Sequence, residues 1–226
     1  MTNKSSKLEH HLMEIKAGNR RFENAFQGVT RMVLGKGFDK VNVNGKTTYD
    51  FRIFREGPKH IVGMYDELNS FVAYVKDAAE GGSSSEMAFV LMGEPGNGKT
   101  FLVEYICTKY REFLKQPQNK RFSFKFKNLD QLGSKYGKIT EIESQTFEDP
   151  MILAMNLFET DAENKKFLQG KGFIEAHLEE LYKNYRPLGA CTDFLMRDIR
   201  EYTDGNLDKM MDFIEIVNVP LSPVLG

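Results

Sequence analysis

The sequence predicts an α/β fold in which helices flank a parallel sheet, preceded by a helical N-terminal lead-in. Three observations predict it. An uninterrupted apolar run, Met87-Ala88-Phe89-Val90-Leu91-Met92, follows Gly81-Gly82-Ser83-Ser84-Ser85, as a strand buried on both faces of a parallel sheet does. Directly after it, Gly93-Glu94-Pro95-Gly96-Asn97-Gly98-Lys99-Thr100 fits the pattern G-x-x-x-x-G-K-[ST] at every fixed position. Beyond that loop, Leu102, Ile106, Tyr110, Phe113 and Leu114 recur at three-to-four-residue spacing among Glu104, Lys109, Arg111, Glu112 and Lys115, the pattern of an amphipathic helix.

Strand, loop and helix in this order are the context in which the loop pattern carries meaning, and together they predict a P-loop NTPase core. Glycines at 93, 96 and 98 let the chain curl so that successive N–H groups point inward at the positive end of the following helix, where phosphate oxygens fit. Glu94, Pro95 and Asn97 complete the loop. Lys99 is expected to reach the β- and γ-phosphates of ATP, and the Thr100 hydroxyl to ligate the Mg2+ that bridges them. The bland alternative is a glycine-rich strand-to-helix turn that binds nothing.

The whole chain sets wider bounds. Its 226 residues can bury a substantial core in one large or two small domains. Apolar content of 41% and charged content of 28% are those of an ordinary soluble protein. A net charge of -1 exerts no global pull on nucleic acid or an acidic membrane. The basic stretch Lys115 to Lys127, interleaved with Phe122, Phe124 and Phe126, could serve base stacking, but its alternation with Ser123, Lys125 and Lys127 is what a half-buried strand produces. Two cysteines, Cys107 and Cys191, make neither a metal set nor a disulfide framework. No apolar run approaches a membrane span, and Met1-Thr2-Asn3-Lys4-Ser5-Ser6 lacks the apolar core of a secretion signal. A cytoplasmic protein with no membrane or nucleic-acid partner is expected.

Taken in order, residues 5 to 34 predict two helices, one through Leu8, Leu12 and Ile15 and one through Phe22, Phe26, Val29 and Val33, with Gly18-Asn19 as the break. His10 and His11 are adjacent and diverge on a helix, so a solvated polar face is expected rather than a metal site. Val41 to Tyr49 alternates around Asn44-Gly45 and predicts a hairpin. Ile61-Val62-Gly63 precedes a helix with Met64, Leu68, Phe71, Val72 and Val75 on one face. An apolar pair closed by glycine, one helix ahead of a phosphate loop, resembles the segment that contacts adenine in AAA-type ATPases; a helix-entry turn fits the same residues.

After the loop helix come a turn at Gln116-Pro117-Gln118-Asn119, a strand over 122–128, and a loop through Gly133 and Gly137. Asp149 before Pro150 reads as an N-cap, so Met151 to Phe158 are expected to be helical. Further helices are predicted over Phe173 to Tyr185, stopped by Pro187, and over Asp193 to Tyr202. Phe213 to Val219 reads as a strand ahead of Pro220 and Pro223. Hydrolysis would need an apolar strand ending in Asp, and none is found: Ile152 to Asp161 starts with Asp-Pro, and Phe213 to Val219 ends in Val and Pro. No catalytic residue is assigned, and Arg186, Arg197 and Arg200 read as solvated helix charges. With few assignable strands, the chain is expected to be a truncated form whose remaining strands lie beyond Gly226.

Several stretches together resemble the PrkA family of bacterial serine protein kinases, in the N-terminal part of its AAA-like domain. They are the phosphate loop with its flanks, His60-Ile61-Val62-Gly63-Met64, the segment Glu141 to Met151, and Pro187-Leu188-Gly189-Ala190-Cys191-Thr192-Asp193 with Tyr202-Thr203-Asp204-Gly205. The resemblance runs from about residue 20 to the end. The residues themselves predict a helical N-terminal region with a possible hairpin over 1–58, and the resemblance implies a partial AAA-like P-loop ATP-binding domain over 59–226. It also implies magnesium-dependent ATP binding through Gly93 to Thr100, a protein substrate phosphorylated on serine by the full-length protein, and a homo-oligomer. A nucleotide switch that does not hydrolyse, an AAA-type remodelling ATPase and a nucleic-acid-dependent ATPase are the alternative readings.

Overall fold

A computed structural model describes residues 7–219, and its strands form two small antiparallel sheets rather than one parallel sheet. The expectation of a parallel-sheet P-loop NTPase core is thereby corrected. By internal contacts the chain divides into two units, Glu23–Lys115 and the residues up to Phe22 together with those from Gln116 onward. The expected boundary at 58/59 falls inside the first of these.

After α1 (Lys7–Lys16), which belongs to the other unit, Asn24 starts helix α2 (Ala25–Gly35) of the 23–115 unit. The Asn24 side chain accepts from Gln27 N while Gln27 accepts from Asn24 N, each at 2.9 Å, a reciprocal cap that satisfies two otherwise orphaned amides. Strands β1 (Phe38–Val43) and β2 (Lys46–Phe51) form the expected hairpin. Asn44 and Gly45 turn it with φ of 51° and 80°, the pair of positive values that matches strand twist. Helix α3 (Tyr65–Ala79) buries Leu68, Val72 and Val75, and Asn69 moors the hairpin to it. Its amide donates to Tyr49 O at 2.7 Å and its carbonyl accepts from Tyr49 N at 3.2 Å. Helix α4 (Lys99–Leu114) adds Leu102 and Tyr105 to a core with Val33, Phe51, Phe54 and Ile61.

The apolar run 87–92 is not a strand. Its unit offers only the hairpin, and the run lies instead as an extended strap on α3. Phe89 packs against Phe71 and Tyr74, with ring centroids 5.6 and 5.2 Å away, and Tyr74 donates to Met87 O at 2.7 Å. One face is thus covered, while Val90 and Met92 stay exposed at 69% and 88%. A run that is apolar on both faces reads as doubly buried, whereas only the Phe89 and Leu91 side is packed.

In the other unit, β3 (Phe122–Lys127) is the central strand between β4 (Glu141–Glu143) and β5 (Ile214–Asn218). Phe124 and Phe126 are buried in the core with Leu8 and Leu12, and Lys125 is held by Glu141 at 2.7 Å, so this strand's rings face inward and its cation is neutralised. Helix α5 (Pro150–Met155) starts as expected, with Asp149 accepting from Met151 N at 2.9 Å. All six of its residues are buried, and it ends three residues before Phe158. Ile152 to Met155 are therefore helix, which removes the first candidate for an acidic strand end. Helix α6 (Asp161–Gly170), not expected from periodicity, is capped by Thr160. Helices α7 (Glu175–Tyr182), α8 (Ala190–Tyr202) and α9 (Leu207–Met211) complete the unit. Pro220 and Pro223, expected to end the last strand, lie outside the described residues.

The segments Glu141 to Met151 and Pro187 to Asp193, distant in sequence, meet at Glu148. This carboxylate is 4% exposed. It accepts from Gly189 N at 2.7 Å, from Ser144 Oγ at 3.0 Å and from Thr192 Oγ1, so the first turn of α8 is closed by a buried anion where the helix field is positive. Glu148→Ala is expected to lower stability by about 2–3 kcal/mol, because it strands the buried Ser144 and Thr192 hydroxyls. Glu148→Gln, which keeps an acceptor, should cost less; urea unfolding of the full chain measures both.

His11 corrects a second expectation, for it is 1% exposed while His10 faces solvent. Arg20 donates to its Nδ1 at 2.8 Å, which puts the ring proton on Nε2, 4.0 Å from Asp149 Oδ1. Burial, and then the Arg20 charge, push its pKa down to about 3. The unfolded chain takes up a proton near pH 6.5 that the folded chain refuses until about 3, so stability falls as pH drops through that window. Between about pH 7 and pH 5 the His11 share of this loss is on the order of 2 kcal/mol. It is measurable as the part of the wild-type decline that His11→Gln does not show.

Candidate phosphate site

Loop 93–100 curls as its glycines require. Asn97 N donates to Glu94 O at 3.4 Å, closing a turn over Pro95 and Gly96. Gly93, Gly96 and Gly98 have φ of 151°, 88° and 75°, a backbone that side-chain-bearing residues rarely adopt. A Cβ on Gly93 would meet Asn97 Nδ2 at 3.7 Å and Lys99 Nζ at 3.8 Å, so the missing side chain leaves a cradle between those two groups.

Helix α4 begins at Lys99, with its first bond from Leu102 N to Gly98 O at 2.8 Å. No side chain caps it. The amides of a first turn have no partner within the helix, and here they open onto a solvent-exposed loop. Lys99 Nζ donates to Gly93 O and to Glu94 O, both at 2.7 Å. Those two bonds hold the ammonium across the curl and leave its third proton for an acceptor outside the chain. Thr100 is exposed and stands one residue further along the helix.

The segment Ile61-Val62-Gly63 is split by the fold. Ile61 is in the core, its N–H bonded to Phe54 O at 2.9 Å, so its side chain is not offered to a ligand. Val62 is 80% exposed, and Gly63, with φ of 74°, turns the chain into α3. The residue that reaches the loop is the next one, Met64, whose Sδ would lie 3.7 Å from a Cβ on Gly98. In the sequence Met64 closes the segment His60 to Met64 and reads as a helix-face residue, with no sign of a contact with the loop.

No family model, curated protein or solved structure matches the chain. The site therefore rests on its own geometry.

That geometry supplies backbone amides, one ammonium and one hydroxyl. It supplies no strand-borne carboxylate: among the described residues, no group of three or more His, Cys, Asp or Glu side chains could hold a metal ion. Thr100 carries the loop's one hydroxyl, and Glu94 and Asn97 carry its other side-chain oxygens. Arg200, grouped with Arg186 and Arg197 in the sequence, is largely buried on α8 rather than solvated, whereas Arg197 is exposed and pairs with Asp193 at 2.5 Å. Among the described residues no helix is long and apolar enough to cross a membrane.

Gly98→Ala should lower the stability of the chain by about 1–2 kcal/mol, since alanine pays the left-handed penalty at this N-cap. The added methyl meets Met64 only at ordinary contact distance. A melting curve checks the loss, and an unchanged curve would mean that the 98 position relaxes out of its positive φ.

Proposed function

We propose that the chain binds the polyphosphate of magnesium ATP in loop 93–100, as the nucleotide-binding part of a PrkA-type serine protein kinase acting in the cytoplasm. The observation that carries the reading is the coupling of an uncapped helix mouth to an ammonium. Lys99 is held over the curl by two neutral carbonyls, so its charge is uncompensated there and a phosphate is the natural counter-charge. The bland reading, a glycine turn that only starts a helix, explains the positive φ values but not why a lysine should be drawn back across the loop.

The kinase assignment rests on the resemblance of segments 60–64, 141–151, 187–193 and 202–205, and a protein serine is the substrate it implies. A second reading, a switch that binds nucleotide without consuming it, is favoured by the absence of an acidic strand end beside Thr100 among the described residues.

Lys99→Ala is expected to weaken MgATP binding at least about tenfold with little change in melting temperature, because the side chain touches only exposed loop carbonyls. Equal calorimetric affinity in the variant and the parent would refute the reading.

A further inference from the structure

A groove of about 390 Å³ lies between the tip of the β1–β2 hairpin and the first turn of α3. Met64 lines it, and the same Met64 borders the mouth of α4 at Gly98. The groove and the phosphate loop are therefore neighbours sharing one side chain. Its walls are of two kinds. Val43, Met64 and the half-buried Tyr65 give apolar and aromatic surface; Asn44, Thr48 and Asp66 give polar edges.

Thr48 is the informative residue. It is 7% exposed as a residue and lines the groove from its place between Lys46 and Tyr49 of the hairpin. A hydroxyl can both donate and accept, and the groove that Thr48 lines is large enough for a small polar molecule. The walls are also held in place: the paired Asn69–Tyr49 bonds fix the hairpin to α3, and Lys46 bridges to Asp66 at 3.4 Å.

We propose that this groove takes the base and ribose of the nucleotide whose phosphates lie in loop 93–100, with Tyr65 as the surface against which the base packs and Thr48 as a hydrogen-bond partner to the ligand. The proposal rests on the phosphate-site reading above. It assigns base recognition to the hairpin and the start of α3, where the sequence pointed to Ile61 and Val62. A flat ligand with apolar faces and polar edges matches an aromatic wall opposed by hydroxyl, amide and carboxylate groups, and base packing on an aromatic ring is tolerant of which base is present.

The test separates the two readings by using a ligand with no base. Calorimetry on the full chain compares magnesium ATP with magnesium tripolyphosphate for the parent, Lys99→Ala, Tyr65→Ala and Thr48→Val. Tyr65→Ala should weaken ATP about tenfold and leave tripolyphosphate unchanged; Thr48→Val, nearly isosteric, should show the same selective loss to a smaller extent. If both groove variants bind ATP as the parent does while Lys99→Ala binds neither ligand, the groove is wrong and the phosphate site stands. If the parent binds neither ligand, both fall. Photolabelling of the unmodified chain with an azido-purine nucleotide avoids any folding defect of the variants. Label on peptides containing 43–48 or 64–67 supports the groove, and label confined to other peptides overturns it.

Discussion

Lys99 turns its ammonium back onto the carbonyls of Gly93 and Glu94 at the point where α4 begins without a side-chain cap. Two carbonyl dipoles orient a cation but do not neutralise it, and first-turn amides add partial positive charge at the same place. The glycines around it are conditions of that arrangement rather than separate features. A side chain at 93 would occupy the space beside Asn97 and Lys99, and the positive φ at 98 is what lets the chain enter the helix directly from the curl. The electrostatic consequence is local, because the chain as a whole is close to neutral.

The start of α8 shows what the same physics looks like when the chain supplies its own anion. There the carboxylate of Glu148, buried and fixed by Ser144 and Thr192, accepts directly from Gly189 N. That helix mouth is closed, and a ligand would have to displace a side chain held by several hydrogen bonds. The mouth of α4 has no such occupant. The two helices thus assign different work to similar ends: one ties segments 141–151 and 187–193 into a single core, and the other is left open to the surroundings.

Much of the local structure was legible in the sequence because it is governed by local chemistry. Asn44-Gly45 demanded a tight hairpin, Asp149-Pro150 a helix start, and the 3.6-residue rhythm gave α3, α4 and α8. What was not legible depends on partners far along the chain. Met87 to Met92 has the composition of a buried strand, but a strand needs a neighbour to exchange backbone bonds with, and none adjoins it in its unit. His11 looked solvated because adjacency to His10 says nothing about which face the core takes. Helix α6 is polar over most of its length, so only its cap at Thr160 could have announced it. For the site, the loop itself was readable residue by residue, whereas Met64, Tyr65 and Thr48 acquire a role only through the packing of the hairpin on α3.

Affinity and turnover place different demands on this site. Amides and an ammonium stabilise phosphate charge whether or not a bond is breaking, and binding of that uniform kind lowers the concentration needed for occupancy without speeding chemistry. Acceleration requires a group that acts more strongly on the transition state, for phosphoryl transfer a carboxylate that positions the attacking oxygen or holds the metal. The residues once considered for that part do not supply it: Ile152 to Met155 are a buried helix and β5 ends at Asn218. On the proposed reading, a loop with amides and an ammonium but no strand-borne carboxylate among the described residues suits occupancy more than turnover, and chemistry on a bound nucleotide would depend on groups outside the loop.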